Sequence, residues 1–144
     1  MGFSATLTAA QNNATGSGIG ATILYNNELY DEYGAYNPVT GIFTAVVPGI
    51  YLFTSAIFSQ NMGSAHTTDA AFFLKNNDYS NGITYFHASN PYTNRQLTYP
   101  NLCLNGSTTL KLSAGDNVRV IYSVTGGTQS INIVLGSFSG TLLR

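Results

Sequence analysis

Charge is what this sequence has least of. Only five Lys or Arg and six Asp or Glu stand among its 144 residues, a charged fraction of 8%, against about 25% in an average globular protein. The net charge is −1, with a pI of about 6.0. No basic surface is available to draw a phosphate backbone, so nucleic acid is excluded as an expected partner. Tryptophan is absent and cysteine occurs once, as Cys103. One cysteine excludes an intrachain disulfide and a cysteine-based metal centre. Between Leu102 and Leu104, Cys103 is expected to be a buried small hydrophobe. No run approaches the ~20 apolar residues of a spanning helix, so membrane insertion is not expected. A signal peptide is not apparent either, since Met1-Gly2 passes straight into strand-like sequence. Helical periodicity appears nowhere.

What is present is apolar and uncharged-polar. Hydrophobic residues make up 44%, too many for a disordered chain. Ser, Thr and Asn, at 13, 17 and 15, take the place of the missing charges. Helical bundles want Glu, Lys, Arg and Ala on their outer faces. Strands with hydroxyl and amide outer faces suit this composition better. The length corresponds to a single domain, residues 1–144, large enough to bury roughly 68–70% of its unfolded surface.

Period-two alternation is the dominant pattern. Phe3, Ala5 and Leu7 alternate with Ser4, Thr6 and Thr8. Further strands are expected over 22–25, 42–47, 50–59, 70–75, 83–87, 108–112, 118–123, 131–135 and 138–143. The segments 12–20, 26–32 and 88–101 read as loops. Asn37-Pro38-Val39-Thr40-Gly41 is a turn in which Pro38 presets φ and Gly41 permits a positive φ. About ten short strands joined by Gly, Pro and Asn turns indicate a β-sandwich or barrel of Greek-key type.

One strand says more. In Ile50–Phe58 both alternating faces are apolar: Ile50, Leu52, Ala56 and Phe58 on one, Tyr51, Phe53 and Ile57 on the other. Ala70–Leu74 shows the same doubling. A sandwich strand places one face in its own core. The second face must meet a loop of the same chain or another copy, and with no helix available a second copy is favoured. Tyr51, Phe53, Ile57 and Phe72 are the residues expected at that interface.

These residues also carry a resemblance. Phe3-Ser4-Ala5 opens like a first strand of the C1q globular head family, within the C1q/TNF superfamily. Tyr36-Asn37-Pro38, Thr40-Gly41, Phe43-Thr44-Ala45 and Pro48-Gly49-Ile50-Tyr51-Leu52-Phe53 resemble its signature in order and spacing. Lys75-Asn76, Leu110 with Leu112, Gly115-Asp116 and Val118, and Phe138-Ser139-Gly140 with Leu142-Leu143 complete the likeness, over about 140 residues. The resemblance implies an all-β fold, a ten-stranded jelly-roll sandwich of the C1q/TNF type, assembling as a compact homotrimer. It also implies a recognition head, commonly carried on a collagen stalk, although no Gly-X-Y repeat is present here. Several members hold calcium near the trimer apex through acids just before the strand matching 108–112. Here residues 99–106 contain no acid, and no metal or other cofactor is expected. The low charge is nearer to invertebrate, bacterial or viral versions.

No catalytic set is apparent, so the chain is not expected to be an enzyme. His66 and Asp69 read as a solvated loop pair, and Glu28, Asp31 and Glu32 as a solvated acidic loop. Gly136–Gly140 has Phe138 where a nucleophile elbow needs Ser, and Gly16–Gly20 lacks dinucleotide spacing. Asn13-Ala14-Thr15 and Asn105-Gly106-Ser107 fit the N-glycosylation pattern. Tyr79, Tyr85, His87, Tyr92, Asn94 and Arg95 are the candidate ligand contacts. Tyrosine with Asn and Ser offers rigid ring area beside adaptable hydrogen bonding, a composition of recognition surfaces. The expected function is a non-enzymatic, homotrimeric head that binds glycans or proteins at a cell or particle surface. The alternative is a passive trimerising cap, such as a viral fibre tip or the end of a bacterial surface filament. Either role places the chain outside the cell, secreted or on a particle.

Overall fold

The structure, a computed structural model, describes residues 1–16, 18–62, 66–89, 101–126 and 131–144. Among these there is no helix. The strands are β1 (Gly2–Thr6), β2 (Gln11–Thr15), β3 (Ala21–Thr22), β4 (Asn27–Asp31), β5 (Tyr36–Asn37), β6 (Ile42–Thr44), β7 (Gly49–Gln60), β8 (Thr68–Lys75), β9 (Ile83–Ser89), β10 (Leu102–Leu112), β11 (Asn117–Thr125) and β12 (Ile131–Leu142). Ten of them hold three residues or more, because β3 and β5 are two-residue bridges.

Two antiparallel sheets face each other. The first runs β10-β7-β12-β1-β4, with β2 also paired to β12; the second runs β5-β6-β11-β8-β9, with β3 paired to β11. Sequence neighbours are repeatedly split between the sheets, which is the jelly-roll sandwich expected from the sequence. Alternation drives the layering. Phe3 and Ala5 of β1, Tyr51, Phe53 and Ile57 of β7, and Val118, Val120, Tyr122 and Val124 of β11 all point between the sheets and are buried.

Aromatic rings fill that space. Phe53 lies 5.3 Å from Phe43, 6.1 Å from Tyr51, 6.3 Å from Phe73 and 5.9 Å from Phe138, centroid to centroid. Phe3 stacks on Tyr36 at 4.9 Å and meets Phe138 edge-on at 4.9 Å. Offset and edge-to-face pairs of this kind add to simple burial. Gly140 makes room for them, since a Cβ there would stand 2.6 Å from the Phe3 ring and 2.7 Å from the Phe53 ring. The polar atoms of the core are satisfied locally. Ser55, inward on β7, shares a 2.8 Å hydrogen bond with the Tyr25 hydroxyl, and Tyr36 donates to the Tyr25 carbonyl. Burial pushes both phenols well above the usual tyrosine range.

Several segments differ from expectation; β10, for one, begins at Leu102 rather than Thr108. Residues 12–20 and 26–32, expected as loops, contain most of β2 and β4. β2 is held by side chains, with Gln11 donating to the Thr22 carbonyl and accepting from the Leu24 amide. β4 lies at the sheet edge with its middle residues exposed, so it needs no apolar alternation. The two closing strands are one, β12, because an irregularity in its pairing with β7 between Ile133 and Leu135 absorbs the break in period.

A polar clamp ties the sheets together at one end. Lys75 of β8 donates to the Lys111 carbonyl of β10 and sits 2.9 Å from the Asp116 carboxylate. Asp116 also accepts from the Asn76 amide and the Ser113 backbone N–H. These donors, Asn76 first, then Ser113 and Lys75, hold its carboxyl down to about 2.

Phe53→Ala is expected to cost about 3–5 kcal/mol through a cavity at the ring cluster, read as a lower urea midpoint. Because the folded-state value of Asp116 is depressed, the clamp stabilises the fold above the ordinary carboxylate range and is lost as pH falls towards about 2. Asp116→Asn should therefore flatten the acid limb of urea midpoint against pH between about 4 and about 2. An unchanged limb would remove the clamp from the account.

Candidate functional site

Two outer faces matter, one on each sheet. On the first sheet the side chains that point away from the core follow the register. Phe58 of β7 stands between Cys103 of β10 and Leu135 of β12. Ala56 lies between Asn105 and Ser137, Thr54 between Ser107 and Ser139, and Leu52 between Thr109 and Thr141. Ile50 faces Lys111. Ser4 and Thr6 of β1 extend the ladder beside Ser139 and Ser137. The face therefore has apolar side chains towards both ends and hydroxyls in the middle, where Thr54 and Ser139 share a 2.6 Å hydrogen bond. Its one ionised group in these rows is Lys111. Leu135 is 59% exposed, and the outward side chains of β7 are only half-buried or exposed.

This corrects the sequence-based choice of interface residues. Tyr51, Phe53 and Ile57 belong to the chain's own core. Alternation divides β7 into two apolar sets; Tyr51, Phe53 and Ile57 take the inside, which leaves Ile50, Leu52, Ala56 and Phe58 outside. Phe72 is not on this sheet. It points out from the second sheet and is covered within the chain, with Tyr79 at 6.4 Å and Tyr85 at 5.3 Å. Tyr79 of the β8–β9 turn and Tyr85 of β9 thus cover Phe72, which belongs to a small cluster with Leu74 and Ile121. Cys103, expected to be buried, is exposed on the first sheet's outer face.

The ligand candidates separate in the same way. Tyr79 and Tyr85, 54% and 57% exposed, form a shelf over Phe72 on the second sheet. His87 turns the other way. Simple alternation would put Tyr85 and His87 on one face, but β9 carries an irregularity opposite Ala71 and Phe72. That extra residue swings His87 inward. Its Nε2 donates to Asp69 Oδ2 at 2.9 Å, and the Tyr122 hydroxyl stands 3.5 Å from the same oxygen. The Asp69 carboxylate is fully buried, as is His66. The expectation of a solvated His66–Asp69 loop is therefore corrected: both are interior groups under the end of the second sheet. Period-based reading missed this pair because a strand register error of one residue reverses every assignment beyond it. Tyr92, Asn94 and Arg95 lie outside the described residues. The acids Asp31 and Glu32 are engaged, Asp31 by the Tyr33 and Tyr36 amides and Glu32 by the Met1 amino group.

A family model for the C1q domain matches residues 2–143. The chain belongs to the C1q domain family. This C1q domain superposes on the globular domain of the zebrafish complement 1qA protein with a TM-score of 0.62, at 19% identity, over 99% of this chain and 97% of that one. It is 28% identical over 127 residues to the collagen alpha-1(X) chain of Mus musculus, covering 87% of this chain and 17% of that protein. The chain thus spans under a fifth of that relative's length. C1q domains form trimeric recognition or assembly heads and are generally non-enzymatic. No helix of this C1q domain is long and apolar enough to cross a membrane among the described residues.

His87→Ala removes a charge-assisted donor from the buried Asp69 carboxylate and should cost about 1.5–3 kcal/mol of stability, seen as a lower thermal midpoint by circular dichroism. A midpoint within error of the parent chain would show the pair to be incidental.

Proposed function

We propose that the chain is a homotrimeric recognition head, working outside the cell or on a particle surface, that presents ligand contacts three at a time. The observation that carries this reading is the outer face of the first sheet. The core is filled, and Phe72 of the second sheet's outer cluster is covered by Tyr79 and Tyr85. Yet Leu52, Ala56, Phe58 and Leu135 remain on a face almost without charge. Apolar side chains flanking pairable hydroxyls suit burial against a copy of the same surface, where each Ser or Thr can both donate and accept. A closed ring of three copies removes the face from water without leaving an open end.

The other sheet then faces outward, so Tyr79 and Tyr85 remain available in the assembly. Two half-exposed rings anchored on Phe72 are stiff and amphipathic, suited to the CH face of a sugar or to a protein loop. Tyr92, Asn94 and Arg95 are proposed contacts of the same kind on chemical grounds, whereas His87 is assigned instead to the buried pair with Asp69. Display of three weak sites raises apparent affinity by roughly 10²–10⁴ when the geometry permits.

Sedimentation velocity tests the assembly. The parent chain should sediment as a trimer, and Leu52→Asp with Phe58→Asp should give a folded monomer with unchanged far-ultraviolet circular dichroism. A parent chain that stays monomeric at micromolar concentration would overturn the reading. A glycan and protein array then tests recognition. Tyr79→Ala with Tyr85→Ala should keep the trimeric mass and weaken selective hits by at least about tenfold, each ring being worth on the order of 1 kcal/mol. A parent trimer with no selective hit would favour a passive assembly cap.

A further inference from the structure

The second sheet's outer face holds a depression that neither the assembly surface nor the tyrosine shelf uses. Its volume is about 560 Å³, and it is lined by residues 34–38 with Thr40, Ile42, Thr44 and Asn117. That volume falls within the range of small-molecule sites, roughly 300–1,000 Å³.

The depression is built on stiff parts. Asn37 pairs with Ile42 across β5 and β6, and Thr44 pairs with Asn117 across β6 and β11. Phe43 and Val118, the intervening pair, point into the core. The side chains of Asn37, Ile42, Thr44 and Asn117 therefore share the outer face by register. The turn that closes one side is locked: Asn37 Oδ1 accepts from the Val39 and Thr40 amides, and the Gly41 amide donates to the Asn37 carbonyl at 2.8 Å. Gly41 has φ of +70°, and a Cβ there would stand 2.5 Å from the Ile23 carbonyl oxygen, so this turn has one conformation to offer. The Asn117 backbone is fixed by Asn76 Oδ1.

Its chemistry is uncharged. None of its lining residues is an acid, a base or a histidine. The nearest cation along β11, Arg119, is directed to Asn77 Oδ1. Asp78, in the same hairpin as Asn77, is turned onto the Ser80 and Asn81 amides. Among the described residues, the Thr40 and Thr44 hydroxyls, the Asn37 Nδ2 and the Asn117 side-chain amide make no hydrogen bond within the chain. They offer donors and acceptors together, beside apolar surface from Ile42 and Pro38. An ion would find no charged side chain in the lining, and a hydrocarbon would strand four polar groups. A neutral pyranose, with hydroxyls around its rim and CH groups on its face, satisfies both kinds of surface.

We propose that this depression seats one uncharged hexopyranose ring of a glycan. The proposal rests on the recognition-head reading and adds to it the class of ligand and a second place on the molecule. Cross-strand pairing runs Ile42, Arg119, Leu74, Ile83 over four neighbouring strands. The seat and the β9 edge that carries Tyr85 therefore lie about 14 Å apart on one surface.

The test uses saturation-transfer difference NMR on the whole assembled chain. The probes are the methyl glycosides of glucose, galactose, mannose and N-acetylglucosamine at millimolar concentration, with glucuronate and N-acetylneuraminate as charged comparisons. At least one neutral glycoside should bind. Thr44→Val and Asn117→Leu, each removing one hydrogen-bonding group at a surface position, should each weaken it about tenfold. Three results would overturn the proposal: no neutral glycoside bound, binding of the acidic sugars alone, or neutral binding unchanged in both variants. Array hits that persist in both variants, with the trimeric mass intact, would remove this seat while leaving the recognition head standing. Loss of the trimer in the parent chain would remove the head itself.

Discussion

The fold turns on the packing around Phe53. A sandwich of two short sheets has a single interior, and here rings dominate its filling. Phe3, Tyr36, Phe43, Tyr51, Phe73 and Phe138 stack, tilt or meet edge-on in one connected group about Phe53. Rings that large leave room for only one face of each strand. Gly140 shows how tight the arrangement is, because even a methyl group would collide with two of the rings. Everything apolar that this interior cannot admit must be covered from outside.

The two sheets solve that problem differently. In the second, the hairpin between β8 and β9 brings Tyr79 over Phe72, and β9 itself supplies Tyr85. In the first, Leu52 and Phe58 keep part of their surface open to solvent and Leu135 is exposed. On the proposed reading, this asymmetry separates a side for the chain's own copies from a side for ligands. Such a division of labour lets an assembling head keep its contacts in view.

Much of this was legible in the sequence. Alternation gave the strands, the paucity of charge ruled out helical surfaces, and the doubled apolar strand announced a face in need of cover. Alternation does not say which of two apolar faces is inside, however. On β7 Tyr51 and Phe53 join the ring cluster, while Leu52 and even the ring of Phe58 stay outside, so side-chain type alone does not mark the inner face. The inward turn of His87 was hidden for another reason. It depends on one extra residue in β9, a feature of pairing with β8 that no single strand displays. Strand β4 escaped notice because an exposed edge demands backbone partners alone.

The near absence of ionised side chains on the first sheet's outer ladder has a further consequence. Screening by dissolved ions acts on charges, and Lys111 is the one charge those rows offer it. Contacts made through Leu52, Phe58 and the central hydroxyls would hold equally from dilute buffer to concentrated brine. Strongly hydrated salts such as sulfate would tighten them further.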